Sequence, residues 1–105
     1  METIVFPRGG DTARVIRAKD IDLVQISSEY PEQYEAYTPN RKKVGYIHVR
    51  RGWCIAWYPD EDSDNEIYSA ELKHGWWSFG SAKERKVHLR RIKAVIALWV
   101  NQVGN

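Results

Sequence analysis

The chain has a single cysteine, Cys54, among 105 residues. That excludes an internal disulfide and every zinc site built on paired thiolates. No apolar run reaches the length of a membrane-spanning helix, and Met1–Pro7 is too short for a secretory signal and lacks its basic start. Repeats and low-complexity tracts are missing. Catalytic signatures are equally scarce, with no nucleophile elbow, phosphate-binding glycine loop or paired-carboxylate motif. His48, His74 and His88 lack any spacing that builds a metal site. Cys54 alternates into a hydrophobic strand, where a thiol is a small core residue rather than a nucleophile. These absences describe a non-catalytic protein of a reducing, cytoplasmic compartment, with no cofactor and no membrane partner.

What is present has the composition of one globular domain spanning residues 1–105, with 43% hydrophobic and 29% charged residues, so wholesale disorder is not expected. A net charge of +2 is too small to indicate a polyanionic partner, but the charges are sorted along the chain. Arg41, Lys42, Lys43, Arg50 and Arg51 occur with no acid among them as far as Tyr58. Asp60, Glu61, Asp62, Asp64, Glu66 and Glu71 follow with no base, and from Lys73 to Lys93 only Glu84 opposes the returning bases. All five tryptophans lie in or just beyond this region. Such sorting describes a binding surface without naming its ligand.

The hydropathy pattern predicts an α+β fold: an antiparallel sheet of four to five strands with one face covered by a C-terminal helix over Ala82–Val100. Thr12–Ala18 and Asp20–Ser27 read as short strands, and Val44–Tyr58 is the strongest strand signal. Its Arg51-Gly52 step is either a hairpin turn or a glycine bulge. Glu66–Leu72 pairs back across the acidic loop, and Trp76–Phe79 adds a short last strand. Ser28–Asn40 reads as a surface segment held by its tyrosines, with Pro31 able to open a helical turn that sets Tyr30, Tyr34 and Tyr37 near one face. Ser81 and Glu84 have capping-box spacing, after which His88, Leu89, Ile92, Val95, Ile96, Trp99 and Val103 share one helical face. Most of the tryptophans are expected in the core.

The opposite helix face carries Lys83, Lys86, Arg90 and Lys93 with almost no acidic partners at helical spacing. Lys83, Arg85 and Lys86 crowd the helix N-terminus, where negative charge is ordinarily favoured, which points to a recruited anion such as phosphate. With Arg41, Lys42, Lys43, Arg50 and Arg51 they would form a phosphate-tracking surface, and an exposed Trp53 would stack on bases. The leading expectation is therefore a nucleic-acid-binding protein. From Lys43 to Val100, the order of strands, Gly52-Trp53, the Trp76–Gly80 approach and a closing helix resembles small DNA-binding domains of the plant ethylene-response and integrase arm-binding type. That resemblance implies a three-stranded sheet, backed by a helix, entering the major groove.

A second expectation is a protein-binding inhibitor or adaptor, of a phage or mobile-element kind, docking on a nucleic-acid-handling enzyme. Its surface would comprise Glu29, Tyr30, Tyr34 and Tyr37 with Asp60, Asp62 and Asp64. Exposed aromatics would equally serve a homodimer. Third, Asp60, Asp62, Asp64 and Glu71 fall at calcium-loop spacing, although Asn65 replaces the turn glycine and a polar hairpin loop is the simpler reading.

Overall fold

Six strands form one antiparallel sheet, with a long helix over one face, in a computed structural model that describes residues 1–7, 16–28 and 31–103. The strands are β1 (Glu2–Ile4), β2 (Asp22–Ser27), β3 (Gln33–Tyr37), β4 (Lys43–Arg50), β5 (Trp53–Trp57) and β6 (Glu66–Glu71), and the helix is α1 (Ala82–Val103). Their order across the sheet is β1-β6-β5-β4-β3-β2, so β4 and β5 are central. The predicted α+β class and antiparallel sheet are observed, with six strands where four to five were expected.

The extra pairing comes from short or ambiguous segments. The Met1–Pro7 segment contributes β1, whose three residues pair with β6 from Glu2↔Ala70 to Ile4↔Tyr68. The tyrosine-rich segment is no helical turn but strand β3, in which alternation puts Tyr34 into the core and Tyr37 on the other face. Trp76–Phe79 is an irregular connection, not a strand. The expected strand Thr12–Ala18 lies mostly outside the described residues, and its end leads into a 3-10 turn at Ala18–Asp20. Arg51-Gly52 is a two-residue hairpin turn pairing Arg50 with Trp53, and both turn residues have positive φ (52° and 82°), as the twist of adjoining strands demands.

The spacing between helix and sheet explains where the tryptophans go. Ala36, Ala56, Ala70 and Gly45 lie under the helix, and a Cβ on Gly45 would come within 2.9 Å of the Ile96 Cδ1 and 3.2 Å of the Ala36 Cβ. The helix answers with Ile92, Val95, Ile96 and Val100, all buried. No indole fits between such surfaces, so the expectation of tryptophans in the core is corrected: Trp53 and Trp76 are exposed and Trp57, Trp77 and Trp99 half-buried. The side chain of Val103 lies outside the described part of the molecule.

A charged residue ties the connection before α1 to the sheet. Glu32 is fully buried. Its carboxylate accepts from the Arg85 guanidinium (2.7 and 3.2 Å), the Tyr34 hydroxyl (2.5 Å) and the Phe79 N–H (3.2 Å). Burial pushes this carboxyl up, but those donors outweigh it and hold it below the ordinary value. Arg85 is therefore not poised for an external anion, which corrects the expectation from its place near the helix start. The helix start is closed internally as well: Glu84 N–H donates to Ser81 Oγ, and the Glu84 carboxylate accepts from the Gly80 and Lys73 N–H groups.

Candidate functional site: the open sheet face

No described helix lies over the second face of the sheet. Period-two alternation places Tyr46, His48 and Arg50 of β4 beside Trp57, Ile55 and Trp53 of β5, their direct cross-strand partners. The His48 and Trp57 rings meet edge to face with centroids 4.8 Å apart, and Tyr46 lies 5.8 Å from each. His48, Arg50, Arg51, Trp53, Ile55 and Trp57 line a shallow concavity of about 340 Å³ at the hairpin end. The Arg50 guanidinium lies 5.9 Å from the Trp77 ring centre, and Gly52 N–H donates to Trp76 C=O (2.8 Å), so the tryptophan pair buttresses the hairpin tip. Among the described residues no carboxylate pairs with Arg50 or Arg51.

Arg51 sits at φ 52° in a position that favours asparagine or glycine. A conformation that costs a branched or long side chain about 1 kcal/mol is thus spent on keeping a cation at the rim of the concavity. Burial, then the Arg50 charge, push the His48 imidazole below its ordinary value of 6.5, so His48 offers a neutral ring to this face at pH 7.

The other sequence-selected bases fall elsewhere. Arg41 and Lys42 lie in the turn joining β3 to β4, and Lys43 begins β4, about 23 Å of strand from Arg50. Arg41 pairs with Asp22 (2.9 Å), and Lys43 bridges Glu35 (2.8 Å) and Glu61 (2.6 Å). The run that looked unopposed in sequence is therefore partly neutralised by acids distant along the chain. Lys83 lines a cleft of about 600 Å³ between β1, β6 and the start of α1. Lys86, Arg90 and Lys93 lie on α1 itself, which covers the other face of the sheet, so the structure does not bring the helix stripe together with Arg50 and Arg51.

The acidic candidates divide in the same way. Tyr34 is buried on Glu32, while Tyr37 donates to Glu35 (2.8 Å). Glu29 and Tyr30 lie outside the described residues. Asp60 accepts from the Asp62 N–H (3.0 Å), and Ser63 donates to Tyr58 C=O (2.8 Å), so the loop between β5 and β6 is folded on itself with Asp62 and Asp64 exposed. Glu71 pairs with Trp53 at the far end of β6, roughly 17 Å of strand from Glu66 beside the loop, and does not complete a calcium loop. No group of three metal-ligating side chains occurs among the described residues. Cys54 is fully buried, and burial pushes its thiol up.

Sequence reasoning missed Tyr46, His48, Ile55 and Trp57 as site residues. Leaving Arg51-Gly52 open between a turn and a bulge hid them, since only the two-residue hairpin turn fixes the register that aligns them.

Beside Glu2 and His88 of the larger cleft, the buried Tyr68 donates its one hydroxyl hydrogen to Glu2 (2.7 Å) and lies 2.7 Å from His88 Nδ1, which must then carry a hydrogen toward the phenol oxygen. Burial pushes His88 below 6.5 as well. Both histidines bind fewer protons folded than unfolded just below that value, so their contribution to stability falls as pH drops through 6.5. The melting temperature is expected to decrease between pH 7 and pH 5.5, and less so in a His48→Gln/His88→Gln variant. Equal slopes in the two proteins would contradict this assignment.

Comparison with protein-family models, curated proteins and solved structures finds no match for the chain. The sequence resemblance implied a three-stranded sheet backed by a helix; β4, β5 and β6 are instead part of a six-stranded sheet. None of the described helices is long and apolar enough to cross a membrane.

Proposed function

We propose that the protein binds single-stranded nucleic acid on the open face of its sheet. The observation that carries this reading is the juxtaposition, on the two central strands and their hairpin turn, of Tyr46, His48, Trp53 and Trp57 with Arg50 and Arg51, which have no described acidic partner. Aromatic rings on a sheet stack against unpaired bases, each worth about 1–3 kcal/mol, and guanidinium groups at the rim hold the adjoining phosphates. Because every base has a π-face, such a surface binds with little sequence preference. A duplex hides its base faces, so single strands are favoured over duplex of equal length.

The protein-binding reading has less support, since Tyr34 is buried and Glu35 and Glu61 are tied to Lys43. It keeps Asp62 and Asp64 as exposed carboxylates.

A titration of tryptophan fluorescence with short single- and double-stranded oligonucleotides tests the proposal. With two to three phosphates neutralised, affinity for the single strand is expected to fall about tenfold between 50 and 200 mM salt. Salt-independent quenching, or tighter binding of the duplex, would count against it.

A further inference from the structure

The outer flank of α1 forms a second concavity, of about 430 Å³, against the turn at Ala18–Asp20. Four cations line it, Lys19, Lys86, Arg90 and Lys93, over a small floor of Ala18 and Leu89. Sequence sorting had singled out the three helix residues; Lys19 joins them only through the fold. Among the described residues none of the four forms an ion pair, whereas Arg41, Lys43, Arg85 and Arg91 all do. Asp20, the carboxylate of the neighbouring turn, accepts from the Arg17 N–H (3.1 Å) and does not line the groove. Lys86, Arg90 and Lys93 rise along one helical row over about 10 Å, a linear array of positive charge.

The lining decides the kind of occupant. Protein interfaces are depleted in lysine and anchored by aromatic side chains. This groove has three lysines and one arginine, with no ring and no carboxylate. It offers charge without shape or hydrogen-bond acceptors, which suits a phosphate backbone held without regard to sequence. Its position matters as much as its chemistry, because α1 and the sheet separate it from the aromatic face.

We infer that the groove is a second phosphate-tracking site, so that one copy of the protein holds two nucleic-acid segments on opposite faces and bridges them. The inference rests on the sheet-face reading above. The activity it adds is bringing two strands together, by stacking on one side and by charge alone on the other. Salt therefore weakens the two sites differently: the groove, having no stacking, releases its strand first as salt rises.

The test uses two short, non-complementary single-stranded oligonucleotides, one labelled with a donor and the other with an acceptor, with protein held below their concentration. The native protein is expected to quench its tryptophans and raise energy transfer between the strands. A Lys86→Glu/Arg90→Glu variant, changed only at exposed positions and checked for an unchanged melting temperature, is expected to keep the quenching within about threefold of native affinity. It should lose the energy transfer. Quenching without energy transfer in the native protein, or energy transfer that survives in the variant, overturns bridging and leaves the sheet-face reading standing. Polyglutamate that removes the energy transfer at lower charge concentration than unlabelled oligonucleotide assigns the groove to an acidic protein and also overturns it. Absence of both quenching and energy transfer overturns the sheet-face reading and the inference together.

Discussion

Replacing Glu32 by alanine is expected to destabilise the protein by about 2–6 kcal/mol, about 1–3 kcal/mol for each of two buried donors left without an acceptor. The effect is large because one carboxylate serves three donors from separate parts of the chain: Arg85 of α1, Tyr34 of β3 and the backbone N–H of Phe79. Without it the Tyr34 hydroxyl and the Phe79 N–H lose their acceptor inside the core, which is costly for each. Against a typical total of about 5–15 kcal/mol for a domain of this size, the loss leaves a marginal fold. Chemical denaturation of the two proteins measures it directly.

The companion change, Arg85→Met, separates the ion pair from simple packing by its pH dependence. In the native protein the Glu32 carboxyl lies below its ordinary value, so its contribution to stability is present above pH 4.5 and lost as pH falls through the depressed value. Without Arg85 the carboxyl keeps the burial that raises it and loses the guanidinium that lowers it, so its value rises. The stability lost as pH falls through the acid range is then smaller in Arg85→Met than in the native protein. Equal acid slopes in the two proteins would contradict the role given to Glu32.

The second large effect concerns binding. A Trp53→Ala/Arg51→Asn variant is expected to bind a short single strand about 30- to 100-fold more weakly, from one lost stacking contact and one lost phosphate contact. In the same variant the asparagine, which accepts the positive φ of the hairpin turn that arginine tolerates poorly, offsets only part of the stability lost with the Trp53 indole. Arg51→Asn alone is expected to stabilise the fold by about 0.5–1 kcal/mol while reducing binding. Gain of stability with loss of affinity is the signature of a residue retained for its ligand. Unchanged affinity in the double variant would remove the hairpin tip from the site.

How much of this was legible in the sequence depended on how local the cause was. The helix declared itself because Ile92, Val95, Ile96 and Trp99 recur at helical spacing after the Ser81 and Glu84 signal, and all depend on residues within a few turns. Strands β4 and β5 showed the same local consistency. Strand β3 did not, because Tyr34 and Tyr37 fall on opposite parities and a buried Glu32 precedes them, which masks the period of two. Glu32 makes sense only with Arg85, 53 residues away. Nor does local pattern say that Gly45 and three alanines bring α1 close to the sheet and so push the tryptophans outward. The sorted charge blocks were real in sequence, but Asp22, Glu35 and Glu61 return to neutralise Arg41 and Lys43, and α1 carries the helix stripe away from the hairpin tip.

The most direct measurement of the central claim is the set of five tryptophan indole N–H signals in a two-dimensional NMR spectrum, recorded with increasing amounts of a short single-stranded oligonucleotide. Trp53 and Trp57 should shift most, since they line the concavity on the open face. Trp99, whose Nε1–H donates to Val5 C=O (2.7 Å) beside the helix, should stay in place. Shifts confined to Trp99 and to the backbone of α1, with Trp53 and Trp57 unmoved, would contradict the sheet face as the site.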